Sequence, residues 1–138
     1  MHLIQIKIIL VDDHRLILES WKMLLENDSR FTIIAECENG EDAINISLKL
    51  IPDIILMDIN MLPINGFETT RKILSENPHL KIIGISVNNQ PSYASKMLEI
   101  GGKGFITKGS SFDELTSAIL KVHNGGKYIC EEIKKQIV

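Results

Sequence analysis

Apolar residues along the chain cluster in five short runs, at residues 6–11, 31–36, 53–57, 81–86 and 104–107. Three stretches, Ile8-Ile9-Leu10-Val11, Ile54-Ile55-Leu56-Met57 and Ile82-Ile83-Gly84-Ile85, are apolar without alternation. Strands buried on both faces of a parallel sheet have that pattern. Segments of helical periodicity separate the runs. Ile17, Trp21, Leu24 and Leu25 form the inner stripe expected of a first helix ending near Asn27, with Leu16, Ser20 and Met23 on a neighbouring face. Asn39 is the expected N-cap of a second helix carrying Ala43, Ile44 and Leu48. A third, over residues 65–76, stops at Asn77-Pro78, and a fourth runs from Pro91 to Gly101-Gly102. A fifth runs from Ser111 to Gly125-Gly126, with Leu115, Ala118, Ile119 and Val122 on one face. Five alternations of strand and helix predict an α/β domain: a parallel sheet with right-handed crossovers and helices on both faces.

In such folds ligands bind beyond the carboxyl ends of the strands. There the sequence sets Asp12 and Asp13 after the first run, Asp58 after the third, Ser86 at the end of the fourth and Lys108 after the fifth. None of these types is needed to build a core. Clustered carboxylates repel, so they are tolerated when one protonates, a cation binds or a lysine intrudes. Magnesium, with its preference for hard oxygen ligands and retained waters, suits such a cluster. A carboxylate facing the cation can attack a phosphoryl group, Lys108 can pair with one of its oxygens, and Ser86 can donate to another.

Composition narrows the function. A single domain is expected from 138 residues, and 44% hydrophobic with 24% charged residues is ordinary for a globular chain. The net charge of −3 gives no basic stripe, so no nucleic acid binding is expected of this domain itself. Cys37 and Cys130 are too few for a disulfide framework. The amino-terminal ten residues do not resemble a signal peptide, and no apolar stretch is long enough for a membrane span, so a cytoplasmic location is expected.

The order Asp12-Asp13, Asp58, Ser86, Lys108, with Met57-Asp58-Ile59-Asn60-Met61 and Gly66, resembles the receiver domain of two-component response regulators, over residues 7–128. Asp12-Asp13-His14, Gly84-Ile85-Ser86, the stretch 103–108 and the stretch 124–128 are similar to the LuxR-type branch. The resemblance implies a doubly wound, five-stranded parallel sheet of the flavodoxin or chemotaxis-regulator kind, strand order 2-1-3-4-5. It implies phosphorylation of Asp58 by a histidine kinase or phosphotransfer protein, and Mg2+ or Mn2+ held by Asp13, Asp58, the Asn60 carbonyl and, through water, Asp12. Ser86 would be the switch hydroxyl and Lys108 the phosphate-pairing cation. Phe105 stands at the aromatic switch position, and a core-edge packing role fits it equally. The resemblance further implies a phosphoacceptor rather than a turnover enzyme, a kinase docking on the first helix, and a possible homodimer on phosphorylation. It also implies control of transcription through a carboxyl-terminal helix-turn-helix domain. The chain ends before such a domain. Residues 129–138, with Ile129, Ile133 and Ile137 one helical face, read as a linker or terminal helix of a shortened chain, a stand-alone receiver being the alternative.

Three positions depart from the family pattern. Leu62 stands where proline usually follows Met61, with Pro63 next, which predicts an altered loop path after Asp58. Arg15 replaces a common proline, and Gly109 leaves any cis bond after Lys108 without proline's help. Among rival readings, an aspartate-nucleophile phosphohydrolase needs a second acid where Asn60 stands, and a flavodoxin-like cofactor module needs a phosphate-cradling loop where Asp12-Asp13 stand. A degenerate receiver acting as a protein-interaction module is opposed by the intact acid, hydroxyl and lysine set.

Overall fold

The computed structural model describes residues 4–137. Residues 1–3 of the amino-terminal stretch, and residue 138 of the terminal segment, lie outside that range. Chain order is β1 (Ile6–Val11), α1 (Arg15–Glu26), β2 (Phe31–Cys37), α2 (Gly40–Leu50), β3 (Ile54–Asp58) and α3 (Gly66–Glu76). There follow β4 (Ile82–Ser86), α4 (Pro91–Glu99), β5 (Gly104–Thr107), α5 (Phe112–His123), β6 (Tyr128–Ile129) and α6 (Glu131–Lys134). The sheet has the order β2-β1-β3-β4-β5-β6, every pair parallel. The expected order 2-1-3-4-5 is therefore present, extended by a sixth strand. Tyr128 and Ile129 pair with Gly104 and Phe105, so residue 129 belongs to the sheet rather than to a helix.

All residues of β3, β4 and β5 are buried, as are all of β1 but Lys7. Their unbroken apolar runs have helices over both faces, and no residue has to face water. The edge strand β2 is only half-buried between its ends. Asn39, Asn65 and Ser111 cap α2, α3 and α5, each side chain accepting the N–H three residues on.

The first helix differs from its expected phase. Leu18 and Leu25 are its fully buried residues, Trp21 is half-buried, and Leu24 is exposed with Leu16 and Met23. Each such Leu buried contributes roughly 1.5–3 kcal/mol, and Leu18 fits the inward 3.6-residue spacing with Leu25 better than Leu24 does. The terminal segment differs too: Cys130 and Ile133 are fully buried, whereas Ile137 is exposed. A turn at Cys130 between β6 and α6 breaks the continuous face expected of Ile129, Ile133 and Ile137.

Ile51 closes α2 in the left-handed region, at φ 51° and ψ 72°. A β-branched residue there crowds its own carbonyl. Ile51→Gly is therefore expected to stabilise the domain by about 1 kcal/mol, since the side chain is half exposed and little burial is lost. A urea midpoint unchanged or lowered by the substitution would show the cap to be unstrained.

Candidate functional site

The ends of β1, β3, β4 and β5 bring the predicted residues to one rim. Asp58 is the last residue of β3, and Asp12 directly follows β1; both side chains are fully buried. Lys108, directly after β5, sets its Nζ 3.0 Å from Asp12 Oδ2 and 3.6 Å from Asp58 Oδ1. The strand register makes this meeting possible, because Met57 pairs with Val11 and Asp58 with Ile85, while Thr107 pairs with Ser86. The Lys108 N–H donates to the Ser86 carbonyl at 2.8 Å, which fixes the start of the lysine's loop against β4.

Asp13 is exposed and reaches the cluster from its rim. Ligand atoms of Asp12, Asp13, His14 and Asp58 all lie within 4.8 Å of one another. His14 was not among the sequence-level candidates. Its Nδ1 lies 2.8 Å from Asp12 Oδ1 and 3.0 Å from Asp13 Oδ1, and the hydrogen bond to Asp12, then the two carboxylate charges, raise its pKa. Its place directly after two site acids was the one available signal.

Asn60 and Ser86 form a second layer. The Asn60 N–H donates to Asp58 Oδ1 at 3.1 Å, and its side-chain oxygen accepts from Ser86 Oγ at 2.6 Å. Ser86 Oγ in turn accepts the Asn88 N–H at 3.0 Å. Phe105 stands apart from the acids and is fully buried; a Cβ added at neighbouring Gly84 would meet its ring at 3.2 Å and Met97 at 3.3 Å. Leu62–Pro63 is the cis peptide among the described residues, and Leu62 points outward, 81% exposed, while Lys108–Gly109 is trans. Arg15 donates to Glu38 at 2.9 Å and so ties the start of α1 to the segment after β2.

Burial, followed by the charge of Asp12, pushes the Asp58 carboxyl up to about 6, against the opposing pull of the Asn60 N–H and Lys108. Asp58 Oδ2 is buried with no hydrogen-bond partner among the described residues. A buried, charged oxygen left without a donor is costly. The groups around it are carboxylate oxygens, the Lys108 ammonium and, at the rim, the His14 imidazole; the carboxylate oxygens fit a hard divalent cation that keeps several waters.

An all-parallel α/β sheet with an acid cluster and a lysine at its carboxyl rim defines the class: a doubly wound fold with a carboxylate centre suited to a hard cation. The response regulator receiver domain family matches residues 8–120. The chain belongs to that family. It is 35% identical over 134 residues to the transcriptional regulatory protein DegU of Brevibacillus brevis, covering 97% of this chain and 57% of DegU. It is 34% identical to the response regulator UvrY of Escherichia coli K12, covering 96% of this chain and 61% of UvrY. The chain thus spans about three-fifths of the length of these relatives. A LuxR-family response regulator from Aurantimonas sp. SI85-9A1 superposes with a TM-score of 0.93 at 28% identity, covering 97% and 96% of the two chains. Receiver domains are phosphoacceptor signalling modules, not usually turnover enzymes, and bind Mg2+ at an acidic pocket. Among the described residues no helix is long and apolar enough to cross a membrane.

Proposed function

We propose that Asp58 accepts a phosphoryl group from the phosphohistidine of a kinase or phosphotransfer protein in the cytoplasm. The observation that carries this reading is the unpartnered, buried Asp58 Oδ2 at a rim shared with Asp12, Asp13 and Lys108. Asp12, Asp13, Asp58 and the Asn60 carbonyl would hold Mg2+ or Mn2+, which when bound neutralises charge on the transferring oxygens. In the transfer, a new P–O bond forms at an Asp58 carboxylate oxygen as the P–N bond to the donor imidazole breaks. The pair of electrons stays on that nitrogen. Lys108 is close enough to pair with a phosphoryl oxygen after leaving Asp12. Ser86 is one residue's reach from Asp58 through Asn60, and its hydroxyl is the group that exchanges Asn60 for a phosphoryl oxygen. Phe105, packed beneath α4, follows that movement rather than leading it.

The exposed Leu16 and Met23 of α1, the helix that begins just after the rim acids, suit a helical partner carrying the phosphohistidine. The output is control of transcription through a separate DNA-binding domain, supported by the likeness to the transcriptional regulatory protein DegU.

The test is intact mass after incubation with acetyl phosphate and Mg2+. Wild type is expected to gain one phosphoryl group, and Asp58→Asn none. Equal labelling of both proteins would refute Asp58 as the acceptor.

A further inference from the structure

The segment after α5 carries polar contacts that the acid cluster does not account for. Glu132, in α6, accepts from two elements at once: Thr107 Oγ1 donates to its Oε1 at 2.9 Å, and Asn89 Nδ2 donates to its Oε2 at 2.8 Å. Gln136 Nε2 donates to the Asn89 carbonyl at 2.7 Å, a third tie to the same loop. Thr107 immediately precedes Lys108, and Asn89 lies three residues beyond Ser86. One exposed carboxylate therefore bridges the two strand ends that deliver the hydroxyl and the ammonium to Asp58. The family match ends at residue 120, so Glu132 and Gln136 lie beyond it, while Asn89 and Thr107 lie within it.

We propose that the Glu132 fork is a latch that phosphorylation of Asp58 opens, loosening residues 129–136 so that they carry the signal out of the domain. This rests on the phosphoacceptor reading of Asp58. The coupling runs through the hydrogen-bonded loop that follows β4 and carries Asn89. Ser86 Oγ accepts the Asn88 N–H, and Asn88 Oδ1 accepts the Gln90 N–H at the start of α4, so the loop moves with Ser86. A phosphoryl group on Asp58 offers acceptor oxygens that compete with Asn60 Oδ1 for the Ser86 hydroxyl. When Ser86 turns to them, Asn88 and Asn89 follow. Hydrogen bonds weaken steeply with distance and angle, so a shift of about an ångström at Asn89 breaks its contacts with Glu132 and Gln136. Lys108 moving from Asp12 towards the phosphoryl group pulls on Thr107, at the other tine of the fork. Because Glu132 is exposed, water replaces what is lost, and the latch can open without stranding a buried charge.

Coupling is reciprocal: if phosphorylation opens the fork, opening the fork by mutation favours the phosphorylated form by the same factor. The probe is beryllium fluoride with Mg2+, a phosphoryl mimic, on the 138-residue protein. Amide exchange in residues 129–136 of the wild type is expected to speed up several-fold when the mimic binds. Glu132→Ala and, independently, Asn89→Ala are expected to bind it about fivefold more tightly, with Mg2+ affinity unchanged in its absence. Glu132→Gln, which keeps an acceptor for Thr107 but opposes the Asn89 amide, is expected to fall between them and wild type. Unchanged exchange in 129–136, or mimic affinity equal to or weaker than wild type in these variants, would make the fork a static brace and overturn the proposal. Failure of the wild type itself to bind the mimic would instead sink the reading of Asp58.

Discussion

Asp58→Asn is expected to be more stable than the wild type at neutral pH in the absence of divalent cations, by roughly 3 kcal/mol. The unfolded carboxyl titrates near 3.8 and the folded one near 6. The folded protein thus holds this proton more tightly. Between pH 4 and 6 the unfolded state sheds it first, and wild-type stability falls as pH rises. Above about 6 both states are ionised and the full cost of the buried charge remains. The gap from 3.8 to about 6, at 1.36 kcal/mol per pH unit, gives the 3 kcal/mol. Asparagine is neutral throughout and can still accept the Asn60 N–H. Its advantage should vanish below about pH 4, where the wild-type carboxyl is protonated in both states, and grow to its full size by about pH 7. Mg2+ should shrink it by stabilising the wild type through binding to the native state. Urea denaturation of both proteins across that range, in chelator and in Mg2+, measures each part. An advantage independent of pH would assign it to packing and not to the Asp58 charge.

That balance is partly legible in the sequence. Strand ends can be read from apolar runs because strands buried on both faces leave no polar alternation, and acids placed just beyond them must face the rim. Asp12, Asp58 and Lys108 follow from this alone. The contacts of Ser86 with Asn60 and Asn88 do not, since they depend on the path of two loops. The phase of α1 is ambiguous in the sequence, because Leu16-Ile17-Leu18 and Met23-Leu24-Leu25 each offer three adjacent apolar residues, any of which could face inward; packing against the sheet selects Leu18 and Leu25. Strand β6 is two residues long, too short to carry a pattern, and its pairing is set by the neighbouring β5 edge. The Glu132 fork joins residues 25 and 43 positions apart, a separation at which sequence spacing carries no information.

Gly66→Ala is expected to cost about 3 kcal/mol or more and to impair phosphorylation at the same time. Gly66 is the first residue of α3, and its N–H donates to the Ile59 carbonyl at 2.9 Å. A Cβ placed on it would sit 2.3 Å from the Asp58 carbonyl oxygen and 2.7 Å from Ile59 Cα. Both are backbone atoms of the strand end that bears the acceptor, so no side-chain rotation relieves the overlap. Either α3 is pushed off the sheet, or the backbone at Asp58 shifts and the distances to Lys108 and Asn60 with it. Gly125 offers the contrast: it has φ of +96° but nothing within 4 Å of a built Cβ. Gly125→Ala should carry only the backbone cost of the left-handed region, about 1–2 kcal/mol, and leave acetyl phosphate labelling as in wild type. Denaturant midpoints and labelling rates for the two variants separate the cases. Near-wild-type stability and labelling in Gly66→Ala would mean that α3 and the β3 end are not held in the close contact on which the geometry of Asp58 depends.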